Sequence, residues 1–223
     1  MAGLARWDRD TADRVDRYVA ISHYVAGRIR RYYNREPIVI YPPVDTDYFR
    51  PDESGPERFA LVVSALVPYK RIDLAIAACR LAGVPLKIAG EGPERRALER
   101  LAGGDSGAQF LGRLPDDQIR ELYRRAAVTL LPGEEDFGIV PLEAQAWGRP
   151  VVALGRGGAL ETVIAGETGV LVDDSSPEAF AAGIADALDH RFDRGAIRRH
   201  AERFSRQRFG DEMAAQIAEP AAW

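Results

Sequence analysis

Two glutamates eight residues apart, Glu135 and Glu143, bracket Asp136-Phe-Gly-Ile-Val-Pro-Leu142 and are the residues of this chain best suited to holding a polyhydroxylated anion. Val128-Thr-Leu-Leu131 reads as a short buried parallel strand closed by the turn signal Pro132-Gly133. Pro141 fits the first turn of a helix, where a missing N–H is tolerated. The backbone N–H groups from Phe137 to Val140 then lack intrahelical partners, and Gly138 lets a ligand approach the main chain closely. Such a helix start receives phosphate, and carboxylates accept hydrogen bonds from hydroxyls. Glu135 at the mouth and Glu143 about a turn deeper suit a ligand with phosphates in its middle and sugar hydroxyls at both ends. A nucleotide sugar has that layout. Acidic residues number 34 among 223, so the spacing alone is no signal. Carboxylates near a helix start are also ordinary partners of its dipole.

Lys70 follows a strand and Pro68-Tyr69 and precedes Ile72, which opens a helix. Its ammonium can reach the same strand-end crevice and stabilise charge on a departing diphosphate. Ala89-Gly-Glu-Gly-Pro93 is a strand-to-helix turn in which Gly90 and Gly92 allow main chain near a ligand. Arg95 breaks the Gly-x-Gly-x-x-Gly spacing, which argues against a dinucleotide fingerprint. His23, His190 and His200 have no metal-ligand spacing and are read as non-catalytic. No Gly-x-Ser-x-Gly or Cys-His signal supports a hydrolase.

The net charge of −4 and pI near 5.5 provide no basic field for nucleic acid or an anionic membrane. No apolar run approaches the roughly 18 residues that span a bilayer, and the first residues lack a signal-peptide core. The expected compartment is the cytoplasm. Cys79 falls on the apolar stripe Ile72, Ala75/Ile76, Cys79, Ala82, where it acts as a small hydrophobe.

These residues must be positioned by an alternating α/β pattern. Apolar strands at about 59–66, 86–90, 109–112, 128–132, 151–154 and 169–173 alternate with helical patterns at about 71–82, 93–102, 116–126, 138–148 and 158–164, and further helices follow from 177. The alternation predicts a Rossmann-like, doubly wound parallel sheet, with every motif at a strand's C-terminal end. Residues 14–22 read as a strand ending in an N-cap at Ser22, 23–33 as a basic helix, and 38–41 as a second strand stopped by Pro42-Pro43. Residues 46–57 read as a linker, 58–192 as the sheet domain and 193–223 as C-terminal helices.

Glu135-x7-Glu143, with Phe137-Gly138 inside it and Gly148-x-Pro150-Val151 after it, resembles the signature of retaining GT-B glycosyltransferases of the family-four, or group 1, type. Val62-Val-Ser-Ala-Leu-Val-Pro-Tyr-Lys-Arg71, Ala89-Gly-Glu-Gly-Pro93 and Gly157-Gly-Ala-Leu-Glu-Thr-Val163 followed by Gly169-Val-Leu-Val172 resemble three further family segments, in the family's order. The resemblance covers about residues 15–210 and is greatest to bacterial mannosyltransferases of polysaccharide and O-antigen assembly.

The resemblance implies transfer of a hexose, with mannose favoured, from a nucleotide-diphosphate donor to an acceptor hydroxyl with retention. GDP-mannose is the favoured donor and a UDP-sugar the alternative, with no metal and no other cofactor. It implies Glu135 and Lys70 as the catalytic pair, with Ser64, Lys70, Arg71, Gly90, Gly92, Leu114, Glu135, Phe137, Gly138, Ile139 and Glu143 binding the donor. Within that set Glu143 holds the ribose, Leu114 lies where backbone reads the base, and Glu135 with the 137–139 amides holds sugar and phosphates. The family usually carries arginine where Ala65 stands, which makes Arg71 the candidate second cation, unless the missing half supplies it.

By the same resemblance residues 1–45 are a remnant of an N-terminal acceptor domain, and the histidine often found in that domain is absent. The chain is therefore expected to be a truncated donor-binding half. Its glycan or lipid-linked acceptor would bind through the missing domain, peripheral to the inner membrane in the full-length enzyme. The open strand edges within 14–41 invite self-association. The competing readings are a non-catalytic nucleotide-sugar-binding module and a GT-B nucleotide-sugar epimerase.

Overall fold

Phe59 and Leu61 fall on one side of a strand and Ala60 and Val62 on the other, and all four are buried, so this segment must be covered on both faces. The computed structural model describes residues 2–52, 54–104 and 107–218. Glu53, expected in the linker, and residues 219–223, expected with the C-terminal helices, lie outside the described residues.

The elements in chain order are α1 (Ala2–Asp10), β1 (Val19–Ala20), α2 (His23–Tyr33), β2 (Ile38–Val39), β3 (Ala60–Val63), α3 (Ile72–Ala82), β4 (Leu86–Ala89), α4 (Arg95–Ala102), β5 (Ala108–Gly112), α5 (Asp116–Arg125), β6 (Val128–Leu131), α6 (Ile139–Ala146), β7 (Val151–Leu154), α7 (Ala159–Thr162), β8 (Gly169–Val172), α8 (Pro177–Asp189), α9 (Arg194–Glu202) and α10 (Arg206–Ala218). Strands β3 to β8 form a six-stranded, wholly parallel sheet in the order β5-β4-β3-β6-β7-β8. This is the doubly wound order of a Rossmann-like fold.

Alternation along the strands builds two cores. Val62, Leu66, Ile72, Ile76, Ile88, Phe180 and Ile184 pack on the face covered by α3, α4 and α8. Phe59, Leu61, Tyr123, Leu142, Trp147 and Phe204 pack on the face covered by α5, α6 and α9. Each large apolar side chain removed from water contributes about 1.5–3 kcal/mol. Cys79 lies in the first core as its stripe implied, and burial pushes its thiol up to about 12.

The N-terminal block is smaller in strand than expected. The segment 14–22 shortens to Val19–Ala20, because Ala12–Arg14 wind into a 3-10 turn and the available partner is only Ile38–Val39, in a separate two-stranded parallel sheet. Ser22 does cap α2, its hydroxyl accepting from Val25 N at 3.0 Å. The expected helix 158–164 also shortens, to Ala159–Thr162, where extended Val163 ends it. The segment read as a linker is packed at its start, where the Arg198 guanidinium donates to Thr46 O and Phe49 O. His200 lies on the buried side of α9. It is 7% exposed, with Nε2 3.2 Å from Thr162 O, and burial lowers its pKa.

Candidate functional site

Strands β3 and β6 are hydrogen-bonded neighbours, yet the helices that follow them, α3 and α6, cover opposite faces of the sheet. A crevice must open between their C-terminal ends, the usual ligand position in such sheets. A cavity of about 480 Å3 lies there, lined by residues that include Ser64, Ala65, Lys70, Glu135, Gly138 and Ile139.

Lys70 and Glu135, 65 residues apart in sequence, meet in this cavity as an ion pair between Nζ and Oε1. Their side chains are 20% and 14% exposed, so the pair is shielded from bulk water. The ammonium also lies 5.1 Å from the centre of the Tyr69 ring. Beside the pair, Gly138 is the N-cap of α6 at φ +92°, a conformation that favours glycine, and no side chain caps the helix. Among the described residues the N–H groups of Ile139 and Val140 have no partner, so they are available to an anion. Phe137 is buried and stacked on Tyr41 at 5.5 Å, leaving its main chain as what it can offer a ligand.

The loop that carries Glu135 is held from two sides. Gly158 N donates to Glu135 O at 2.7 Å, and a Cβ on Gly158 would lie 2.2 Å from Phe137 Cα. On the other side α2 engages both neighbours of Glu135. The Ser22 hydroxyl donates to Asp136 O (2.6 Å), the Tyr24 hydroxyl to Glu134 Oε1 (2.6 Å), and Arg28 pairs with Asp136 Oδ1 (2.7 Å). Of three consecutive carboxylates, Glu135 alone pairs with the cavity's lysine. Glu161 completes the joint by accepting from the N–H groups of His23 (2.8 Å) and Tyr24 (3.0 Å) at the positive end of α2. The sequence carried no signal for the contacts of Ser22 and α2 with the loop and Glu161, because each joins residues more than a hundred positions apart.

Two grooves adjoin the cavity. One, of about 460 Å3, is lined by Ser64, Ala65, Gly90, Arg113, Leu114 and Ile119 among others. The other, of about 500 Å3, includes Asp45, Tyr48, Asp116, Ile119, Ile139 and Glu143. Ser64 and Ala65 are shared by the cavity and the first groove, Ile139 by the cavity and the second, and Ile119 by both grooves, so the three form one rim along the strand ends. Glu143 is half-buried, with Oε2 accepting from the Tyr123 hydroxyl at 2.7 Å, and burial raises its pKa despite that bond. Its Oε1 makes no hydrogen bond among the described residues.

Two residues expected to contact the donor do not line these three spaces. Arg71 adopts φ +53°, and its guanidinium pairs with Asp73 in a neighbouring groove with Glu94 and Leu98 that shares Ile72 with the cavity. It does not line the cavity. Gly92 lines none of the three spaces: a Cβ there would lie 2.3 Å from Leu66 O, so its bareness serves packing of the chain on itself. Gly90 does line the first groove, although its φ of +140° and a Cβ position 1.8 Å from Ser64 O show that the strand ends also require it. Among the described residues no group of three His, Cys, Asp or Glu side chains is placed to hold a metal ion.

The model of the glycosyl transferases group 1 family matches residues 44–207. The chain is 34% identical to a D-inositol 3-phosphate glycosyltransferase of Acidothermus cellulolyticus, over 88% of this chain and 52% of the relative. It is 32% identical to a GDP-mannose-dependent alpha-(1-6)-phosphatidylinositol monomannoside mannosyltransferase of Mycobacterium tuberculosis, over 95% of this chain and 63% of the relative. The chain thus spans about half the length of the curated relatives it matches. Among solved structures the fold is that of Anabaena HepE in complex with UDP and glucose (TM-score 0.86, 22% identity, 97% of this chain and 67% of that one). It is equally that of sucrose-phosphate synthase from Thermosynechococcus elongatus (TM-score 0.86, 23% identity, 97% and 61%). With the motifs gathered at one switch point and the family model matched over most of its length, the chain belongs to the group 1 glycosyl transferases.

Proposed function

We propose that the chain is the donor-binding half of a retaining hexosyltransferase, and that the rim along its strand ends holds a nucleotide-diphosphate sugar. The observation that carries this reading is the meeting of Lys70, Glu135 and the uncapped start of α6 in one shielded cavity. Lys70 and the Ile139 and Val140 N–H groups receive the diphosphate, whose charge grows as the glycosidic bond breaks. Glu135 accepts from hydroxyls of the donor sugar and fixes the anomeric carbon for attack. The Gly90 and Leu114 groove takes the base and the Glu143 groove the ribose.

Retention follows in this reading if the acceptor hydroxyl attacks from the face the diphosphate leaves. The acceptor, a glycan or a lipid-linked molecule, is bound by a further domain of which residues 1–45 are the end, with 46–57 joining it to 58–192. The whole works in the cytoplasm at the face of a membrane. GDP-mannose is the favoured donor, supported by the GDP-mannose-dependent relative of M. tuberculosis; a UDP-sugar is the alternative, supported by the UDP complex of Anabaena HepE.

Calorimetric titration with GDP, UDP and ADP tests the site. One nucleotide is expected to bind, and Glu143→Ala to weaken it about tenfold or more through loss of a charge-assisted bond. Unchanged affinity in that variant would remove Glu143 from the site.

A further inference from the structure

Among the described residues Lys70 is the one basic side chain lining the cavity, and Glu135 already holds it. Each neighbouring position that could have supplied a second cation fails to. Ala65 lines the wall without charge, Arg71 is turned to Asp73, and Arg113 lines the adjoining groove. Among this chain's described residues an incoming diphosphate therefore competes with a carboxylate for the one ammonium lining the cavity, and two anions on one cation in a shielded site repel.

When Lys70 leaves Glu135, the carboxylate is stranded with only 14% of its side chain exposed, and an unpaired, largely buried charge is costly. Water reaches it poorly, so its replacement partners must come from the ligand. Sugar hydroxyls are donors of the right kind. A nucleoside diphosphate without its sugar takes the ammonium and returns nothing to Glu135.

Resting on the donor-site reading above, we propose that Lys70 is exchanged between Glu135 and the donor's diphosphate, and that this exchange makes Glu135 a selector for the intact nucleotide sugar over the spent nucleoside diphosphate. The same exchange run backwards aids product release. Once the sugar has left, Glu135 has no hydroxyl partner and reclaims Lys70 from the diphosphate.

Titration calorimetry of the wild-type chain, Glu135→Gln, Glu135→Ala, Lys70→Met and the double variant Lys70→Met/Glu135→Gln tests this, using UDP, UDP-glucose, GDP and GDP-mannose. Both Glu135 variants are expected to bind the diphosphate that the wild type binds about tenfold more tightly. Their preference for the sugar nucleotide over that diphosphate falls toward one. The gain vanishes when Lys70 is also replaced. Misfolding cannot produce a gain in affinity, and circular dichroism melts confirm the fold of each variant. Unchanged or weaker diphosphate binding in both folded Glu135 variants, with the wild type binding normally, overturns the exchange and leaves the donor site standing. Failure of the wild type to bind any of the four overturns both.

Discussion

Glu143 sits half-buried behind Tyr123, and the two shift each other's titration. Burial raises the carboxyl, while burial and the nearby carboxylate push the Tyr123 phenol well up. The folded chain therefore holds the Glu143 proton more tightly than the unfolded chain, whose value is about 4.3. Stability from this group is full below that value and declines as pH rises through it toward the raised folded value, because the native state then binds more protons than the unfolded one. Glu143→Gln is expected to flatten that decline. Urea unfolding of both proteins between about pH 4 and pH 7 measures it, and parallel stability profiles would show that burial of Glu143 has no energetic consequence. The retained cost is consistent with a ligand-facing role: Oε1 has no internal partner, and a hydroxyl-bearing ligand would supply one.

At the level of elements, the geometry of the cavity depends on α2 as much as on α6. Three carboxylates in succession would repel one another if left loose, yet Glu134 and Asp136 are tied to Tyr24, Arg28 and Ser22, and Glu135 is left for Lys70. Ser22 has two tasks, capping α2 through Val25 N and donating to Asp136 O, and it is fully buried. Ser22→Ala removes a cap and leaves the Asp136 carbonyl short of a partner, so a loss of about 1–3 kcal/mol is expected. Chemical denaturation gives the number, and a loss under about 0.5 kcal/mol, the scatter of ordinary surface changes, would refute the double role. The family match begins at residue 44, so this clamp lies before the matched region while shaping the site within it.

For the molecule as a whole, the six-stranded sheet is complete in itself, whereas β1 and β2 make only a two-stranded sheet beside it. Two strands are too few to be stable alone, and here they are held by the joint between α2, Glu161 and the acidic loop. The chain spans about half the length of its curated relatives, and the proposed donor rim lies along the strand ends of its larger sheet. On the donor-half reading proposed above, the chain in isolation is expected to bind nucleotide sugar without transferring the sugar efficiently to glycan or lipid-linked acceptors. A radiolabelled-donor transfer assay decides the matter: efficient turnover by the chain alone would sink the half-enzyme reading.

The sequence by itself determined the alternation of strand and helix, the parallel sheet, and the placing of Glu135, Lys70 and Gly90 in the loops at strand ends, with Glu143 on the helix that follows. Those are local properties: side-chain periodicity, turn residues and the helix start before Pro141 are written within a few positions of each other. It could not determine that Lys70 pairs with Glu135 while Arg71 pairs with Asp73, because either cation could follow Tyr69 into the crevice by sequence alone. Nor could it determine that Tyr123 backs Glu143, or that α2 clamps the acidic loop. Those are contacts between residues distant in sequence, and only packing of helices on the two faces of a finished sheet brings their side chains within hydrogen-bonding reach.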